Sequence, residues 1–146
     1  MMEDLELQLK TLLETNWEVA VKPLFHRNKR RVEGALSEPN VIIAENTDVN
    51  AWDKEGMADC RVLIVISTKI PCAGTTNEEV EKAKETKYDF REEIYRILKA
   101  MDDGELEKPE GWEWAYPTRR TNVDNFDISP ALLGEEINIT LAYQRT

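Results

Sequence analysis

Five consecutive apolar residues, Val62, Leu63, Ile64, Val65 and Ile66, constrain this chain more than any other stretch. The run is β-branched, holds no Pro or Gly, and is too short for a helix, so it is predicted to be a strand. Its lack of alternation predicts that both faces are covered, which makes it the central strand of a sheet. A Pro/Gly/Thr loop then leads into a segment from about Asn77 to Met101. There Val80, Ala83, Lys84, Tyr88, Ile94, Tyr95, Leu98 and Met101 recur at steps of three and four, with Phe90 and Ile97 widening the stripe. This spacing predicts one long amphipathic helix with a single wet face. Thr76 or Asn77 can cap it, Glu78, Glu79 and Glu81 suit its positive end, and Gly104 supplies a stop. Glu81/Glu85 and Glu92/Arg96, each at four-residue spacing, are expected near solvent, the first pair repulsive and the second favourable.

Before this unit, Leu5, Leu9, Leu12 and Leu13 fall on one face of a short helix over residues 3–15 that Asn16 can end. Trp17, Val19 and Val21 alternate with polar or small residues and predict a half-buried strand that stops at Pro23. Val41, Ile42 and Ile43 predict a short strand after Pro39, followed by a polar loop from about Asn46 to Asp59. Beyond the long helix, an acidic linker (Asp102 to Gly111) precedes Trp112, Trp114 and Tyr116, predicted as a strand with one wholly aromatic face. Residues 119–127 read as a surface connection. Their Asn and Asp side chains offer oxygen ligands but lack the Gly and closing Glu of a calcium loop. Ile137, Ile139, Leu141 and Tyr143 then alternate with polar or small residues in a final half-buried strand.

This order predicts an α+β fold. It is a two-layer sandwich with a mostly antiparallel four- to five-stranded sheet, one long helix on a face and a short N-terminal helix, in a single domain over 1–146. If the long helix covers one face of the sheet, the opening helix or a second subunit must cover the other.

Charge narrows the function. A net charge of -10 and a pI near 4.7 argue against general binding to a phosphate backbone. No apolar run is long enough to span a membrane and the acidic N-terminus does not resemble a signal peptide, so a cytosolic site of synthesis is expected. Cys60 and Cys72 match no metal-ligand spacing, the sole histidine, His26, lies far from both, and Cys60 reads as an ordinary half-buried thiol. No phosphate loop or nucleophile elbow occurs, and the Glu85-x-Lys87 fragment sits inside a predicted helix. We therefore expect no catalytic residues, no metal and no cofactor.

Two features invite a binding role. Arg27, Lys29, Arg30 and Arg31, with His26 among them, form the basic cluster of an acidic chain. They read as a solvated loop, as a strand end pairing with acidic neighbours, or as a contact to an acidic partner surface or passing nucleic acid. Trp112, Trp114 and Tyr116 read as core, as a subunit interface, or as a platform for sugars or bases.

The order of elements resembles the tail-terminator and tail-completion (minor tail, neck) proteins of long-tailed bacterial and archaeal viruses. The resemblance rests on the Leu-rich opening helix (Asp4 to Glu14), the Pro-preceded strand (Pro39 to Ile43), the helix containing Lys87-Tyr88-Asp89-Phe90-Arg91 through Leu98, and the closing strand (Glu135 to Arg145). It implies a structural virion protein that forms a ring, usually a hexamer, at the head-proximal end of the tail. Such a ring terminates the tail tube and joins it to the head connector or neck proteins, and DNA passes through its channel without specific binding. It implies no enzyme, assembly in the host cytoplasm and a final location in the virion. Arg27, Lys29, Arg30, Arg31, Trp112, Trp114 and Tyr116 are the expected interface residues. Two other readings remain: a small protein-interaction module using the aromatic strand as a monomer or dimer, and a sugar-binding or hydrolytic enzyme using that strand with Glu113.

Overall fold

In the computed structural model, residues 5–27, 39–44, 47–51, 57–69, 77–125 and 132–144 are described. Helix α1 (Leu5–Asn16) buries Leu5, Leu9, Leu12 and Leu13, as its spacing predicts, and the Asn16 side-chain amide closes it by donating to Leu12 O at 2.8 Å. The strand expected at Trp17–Val21 does not form. The Trp17 indole N–H donates to Val21 O at 3.1 Å and the Glu18 N–H to the Glu93 carboxylate at 2.6 Å, so local bonds and a helix consume the groups that a sheet neighbour would need. Trp17 instead packs edge-on against Phe25 and Phe90, with ring centroids 5.4 and 5.3 Å apart. The first strand, β1 (Leu24–Arg27), starts after Pro23.

Strands β2 (Asn40–Ile43) and β3 (Thr47–Ala51) lie end to end along one edge of β4 (Met57–Lys69), each antiparallel to it. Within the loop expected between Asn46 and Asp59, the described residues 47–51 and 57–59 are strand, because the long β4 offers its backbone to β3 as far as Ala58; residues 52–56, with Trp52 and Gly56, lie outside the described residues. After helix α2 (Asn77–Asp102), β5 (Trp112–Asn122) and β6 (Leu132–Gln144) complete the sheet in the order β1-β2-β4-β6-β5, with β3 also on β4. Among the described residues only β1 and β2 pair in parallel. The predicted α+β architecture is the one observed.

Pro117, expected to end the aromatic strand, lies within β5. An edge strand tolerates a missing N–H, and the register shifts between Pro117 and Arg119. The expected connection from Arg119 is therefore strand as far as Asn122. Helix α2 ends on Gly104 at φ 83°, with Glu105 N–H bonded to Ala100 O (2.8 Å) and Gly104 N–H to Met101 O (3.2 Å), a Schellman closure. Its buried line runs through Ala83, Phe90, Ile94, Ile97 and Met101, which leaves Lys84 and Tyr88 exposed. Arg96 does not pair with Glu92. Its guanidinium bonds the buried Glu93 carboxylate (2.6 and 2.9 Å) and Asn16 O (2.8 Å), while Glu92 meets Arg91, because Glu93 faces the end of α1 where the bonds are completed.

Both helices pack on the same face of the sheet. Leu5, Leu9, Leu12 and Leu13 share one core with Phe90, Ile94, Ile97, Val41, Ile43, Val62, Ile64, Ile66, Ile137, Ile139 and Leu141. The central run is consequently covered unequally. Val62, Ile64 and Ile66 are fully buried, whereas Leu63 and Val65 on the outer face are only half-buried, which corrects the expectation of two covered faces. Cys60 is buried outright on the helix side, and Cys72 lies outside the described residues.

Candidate interaction face

Alternation puts every second residue of β4 and β6 on the face away from the helices, and β5 joins that face through an irregularity. The register slips between Trp112 and Trp114. Such a bulge inserts an extra residue and turns the following side chains to the other side. Trp112 therefore points inward, 5% exposed, with its indole N–H donating to Gln8 Oε1 at 2.8 Å. Trp114 and Tyr116 point outward and stack on each other, centroids 4.9 Å apart and planes 26° from parallel. The single aromatic row read from the sequence is thus divided between the core and the surface.

Tyr116 is 49% exposed, opposite Thr140 of β6, whose hydroxyl donates to that of Thr118 at 3.2 Å; Thr118 in turn donates to Asn138 O at 3.3 Å. Arg119, beside Asn138, and Arg61, beside Thr140, are exposed on this same face, and Leu63 continues it across β4. Sequence reasoning missed the arginines, because Arg119 follows Pro117, where the aromatic strand was expected to stop, and Arg61 reaches this face only when β4 pairs with β6. Alternation at Asn138 and Thr140 was the available signal for this face.

Ionic contacts behind the sheet, centred on the buried Glu135, hold it to α2. The Glu135 carboxylate, 2% exposed, lies between Arg91 (3.4 Å) and Arg120 (3.1 Å), which joins β6 to both α2 and β5. Lys87 donates to Asn122 Oδ1 and, at 3.0 Å, to Asp124 Oδ1, which also accepts the Gly134 N–H at 3.0 Å. Burial pushes the Asp124 carboxyl up, but the bonds from Lys87, Gly134 and Asn122 outweigh it and hold it below its ordinary value. The outer face thus rests on a fixed backing.

Of the predicted basic cluster, Arg27 is half-buried at the end of β1, opposite Ile43, while Lys29, Arg30 and Arg31 lie outside the described residues. β1 and β5 are the two ends of the strand order, about 19 Å apart at ordinary strand spacing. Arg27 and the Trp114–Tyr116 pair are not brought together. Among the described residues no group of three or more His, Cys, Asp or Glu side chains is placed to hold a metal, and no helix is long and apolar enough to cross a membrane. What the face can do chemically is desolvate a flat aromatic patch edged by hydroxyl and guanidinium donors, the residue types that anchor protein contacts.

No protein-family model matches the chain, and no curated protein matches it. Among solved structures it is similar to a chain described as the virion of a native gene transfer agent (GTA) particle. The TM-score is 0.60 at 15% identity, over 95% of this chain and 93% of that one. The likeness is one of fold, extending over almost the full length of both chains.

Proposed function

We propose that this chain is a structural virion protein that forms a ring, most simply a hexamer, at the head-proximal end of a viral tail. There it terminates the tail tube and meets the head connector or neck proteins. The single observation that carries this reading is the end-to-end likeness of fold to a chain of a gene transfer agent virion. The element order that resembles tail-completion proteins leads to the same place from the sequence. Residues 1–146 act as one domain in this reading, and the virion is its final location.

The physical features support assembly over chemistry. A half-exposed aromatic stack on an ordered sheet is suited to burial against protein, and Arg27, Lys29, Arg30 and Arg31 are suited to an acidic neighbour. An acidic ring lets DNA slide through without lasting phosphate contacts, since a net charge of -10 per chain repels the backbone.

Light scattering on the purified protein, with negative-stain images of the same fraction, tests the reading. Rings of six times the 16.9 kDa chain mass are the expected result. A chain that stays monomeric even when purified tail tubes are added contradicts it, and makes the small interaction module the better account.

A further inference from the structure

The outer face carries a stacked aromatic pair, and a complementary surface lies elsewhere on the same chain. Between α1 and residues 107–110 runs a shallow, open groove of about 590 Å³, with Leu7, Glu107, Pro109 and Glu110 on its walls. Leu7 is among the exposed large apolar residues of the molecule. The surrounding chain from α2 to β5 concentrates negative charge, with Asp102, Asp103, Glu105, Glu107 and Glu110 all exposed. Local cations offset only part of it: Lys99 pairs with Asp103 at 3.1 Å, and Lys108, which also lines the groove, donates to the Glu113 carbonyl at 3.0 Å, so two positive charges stand against the five carboxylates.

The geometry points to a head-to-tail contact between two copies of this chain, in which the stacked Trp114–Tyr116 pair and Arg119 of one copy seat in the groove of Leu7, Glu107, Pro109 and Glu110 of the next. Each half supplies what the other lacks: aromatic area with a guanidinium on one side, an exposed leucine and a half-buried proline between carboxylates on the other. A back-to-back contact between two outer faces would instead bring Arg61 and Arg119 of one copy toward the same arginines of its partner. The stack lies on the face away from the helices and the groove lies beside α1, so the two halves belong to different surfaces of one chain. A contact between two different patches is heterologous, and such contacts propagate into closed rings or filaments. The inference rests on the ring reading above and adds which surfaces meet.

Four chains measured by light scattering over a range of concentrations test it: the native protein, Arg119→Glu, the double variant Glu107→Arg/Glu110→Arg, and the chain carrying all three changes. Each swap alone is expected to raise the apparent dissociation constant at least about ten-fold, and the combined swap to restore association. Urea midpoints monitor folding of each. A second measurement is independent of charge. With Cys72→Ser as background, the pair Leu7→Cys/Tyr116→Cys should give a ladder of disulfide-linked multimers on oxidation, and either cysteine alone should give none beyond a dimer. Native-sized oligomers in both charge variants, or the absence of a ladder while oligomers persist, overturn this contact and leave the ring reading standing. A native chain that never associates, even with purified tail tubes added, overturns both.

Discussion

Ile139 and Thr140 are neighbours on β6, yet they occupy different environments. Ile139 is fully buried beneath the helices, while Thr140 sits half-covered on the outer face with its hydroxyl turned to Thr118. Much of β4, β5 and β6 repeats this contrast. The covered face is aliphatic, closed by two helices and fastened at its margins by Glu93, Glu135 and Asp124. The outer face mixes Leu63 and Val65 with hydroxyls, two arginines and one aromatic stack. One side therefore carries the free energy of folding, and the other is available for contact with a partner.

Substitution on the two faces should separate these roles. The largest effect is expected from Phe90→Ala or Ile139→Ala, both fully buried, at about 3–5 and 2–4 kcal/mol of stability in urea unfolding. A loss under 1 kcal/mol at both sites would erase the contrast. Gly134→Ala comes next, at about 1–3 kcal/mol, because a Cβ there would lie 2.9 Å from Val123 Cγ2 and 3.2 Å from Ile66 O.

Glu93→Gln should cost about 1–3 kcal/mol near neutral pH, with a sign that pH can test. The Arg96 guanidinium and the Glu18 N–H hold the Glu93 carboxyl below its ordinary value of 4.5, against an opposing push from burial. A carboxyl whose folded value is lowered stabilises the fold fully above its unfolded value and loses that contribution as pH falls through the folded one. The gap between native protein and Glu93→Gln should therefore be full at pH 7 and shrink steadily below about pH 4.5. A gap that widens in acid contradicts the assignment. The smallest change in stability is expected on the outer face. Thr140→Ala and Tyr116→Ala should each lower the unfolding free energy measured in urea by no more than about 1 kcal/mol. Tyr116→Ala should still weaken association, and an assembly indifferent to it would remove the functional half of the comparison.

The elements that were legible in the sequence are those whose signal is local. Leucines at three- and four-residue steps specify α1, alternation specifies β6, and Gly104 marks the end of α2. The same logic failed at Trp17–Val21, where alternation was present but the backbone groups were claimed by a turn and by Glu93. At β3 it failed in the opposite direction, because a polar stretch became strand once β4 presented an edge to it. The candidate face was half-legible. Trp114 and Tyr116 were identified, but Trp112 was grouped with them, because the bulge that turns it inward leaves no mark in composition.

By itself the sequence determined an α+β chain with a central apolar strand, a long amphipathic helix and an acidic surface, since periodicity and charge are properties of residues in order. Only the tertiary structure decided that both helices cover one face, that Trp112 and Trp114 part company, and that Arg61 and Arg119 flank the exposed stack. The reason is that register and layer assignment depend on pairings between segments distant in the chain. A shift of one residue in such a pairing moves a side chain from core to solvent.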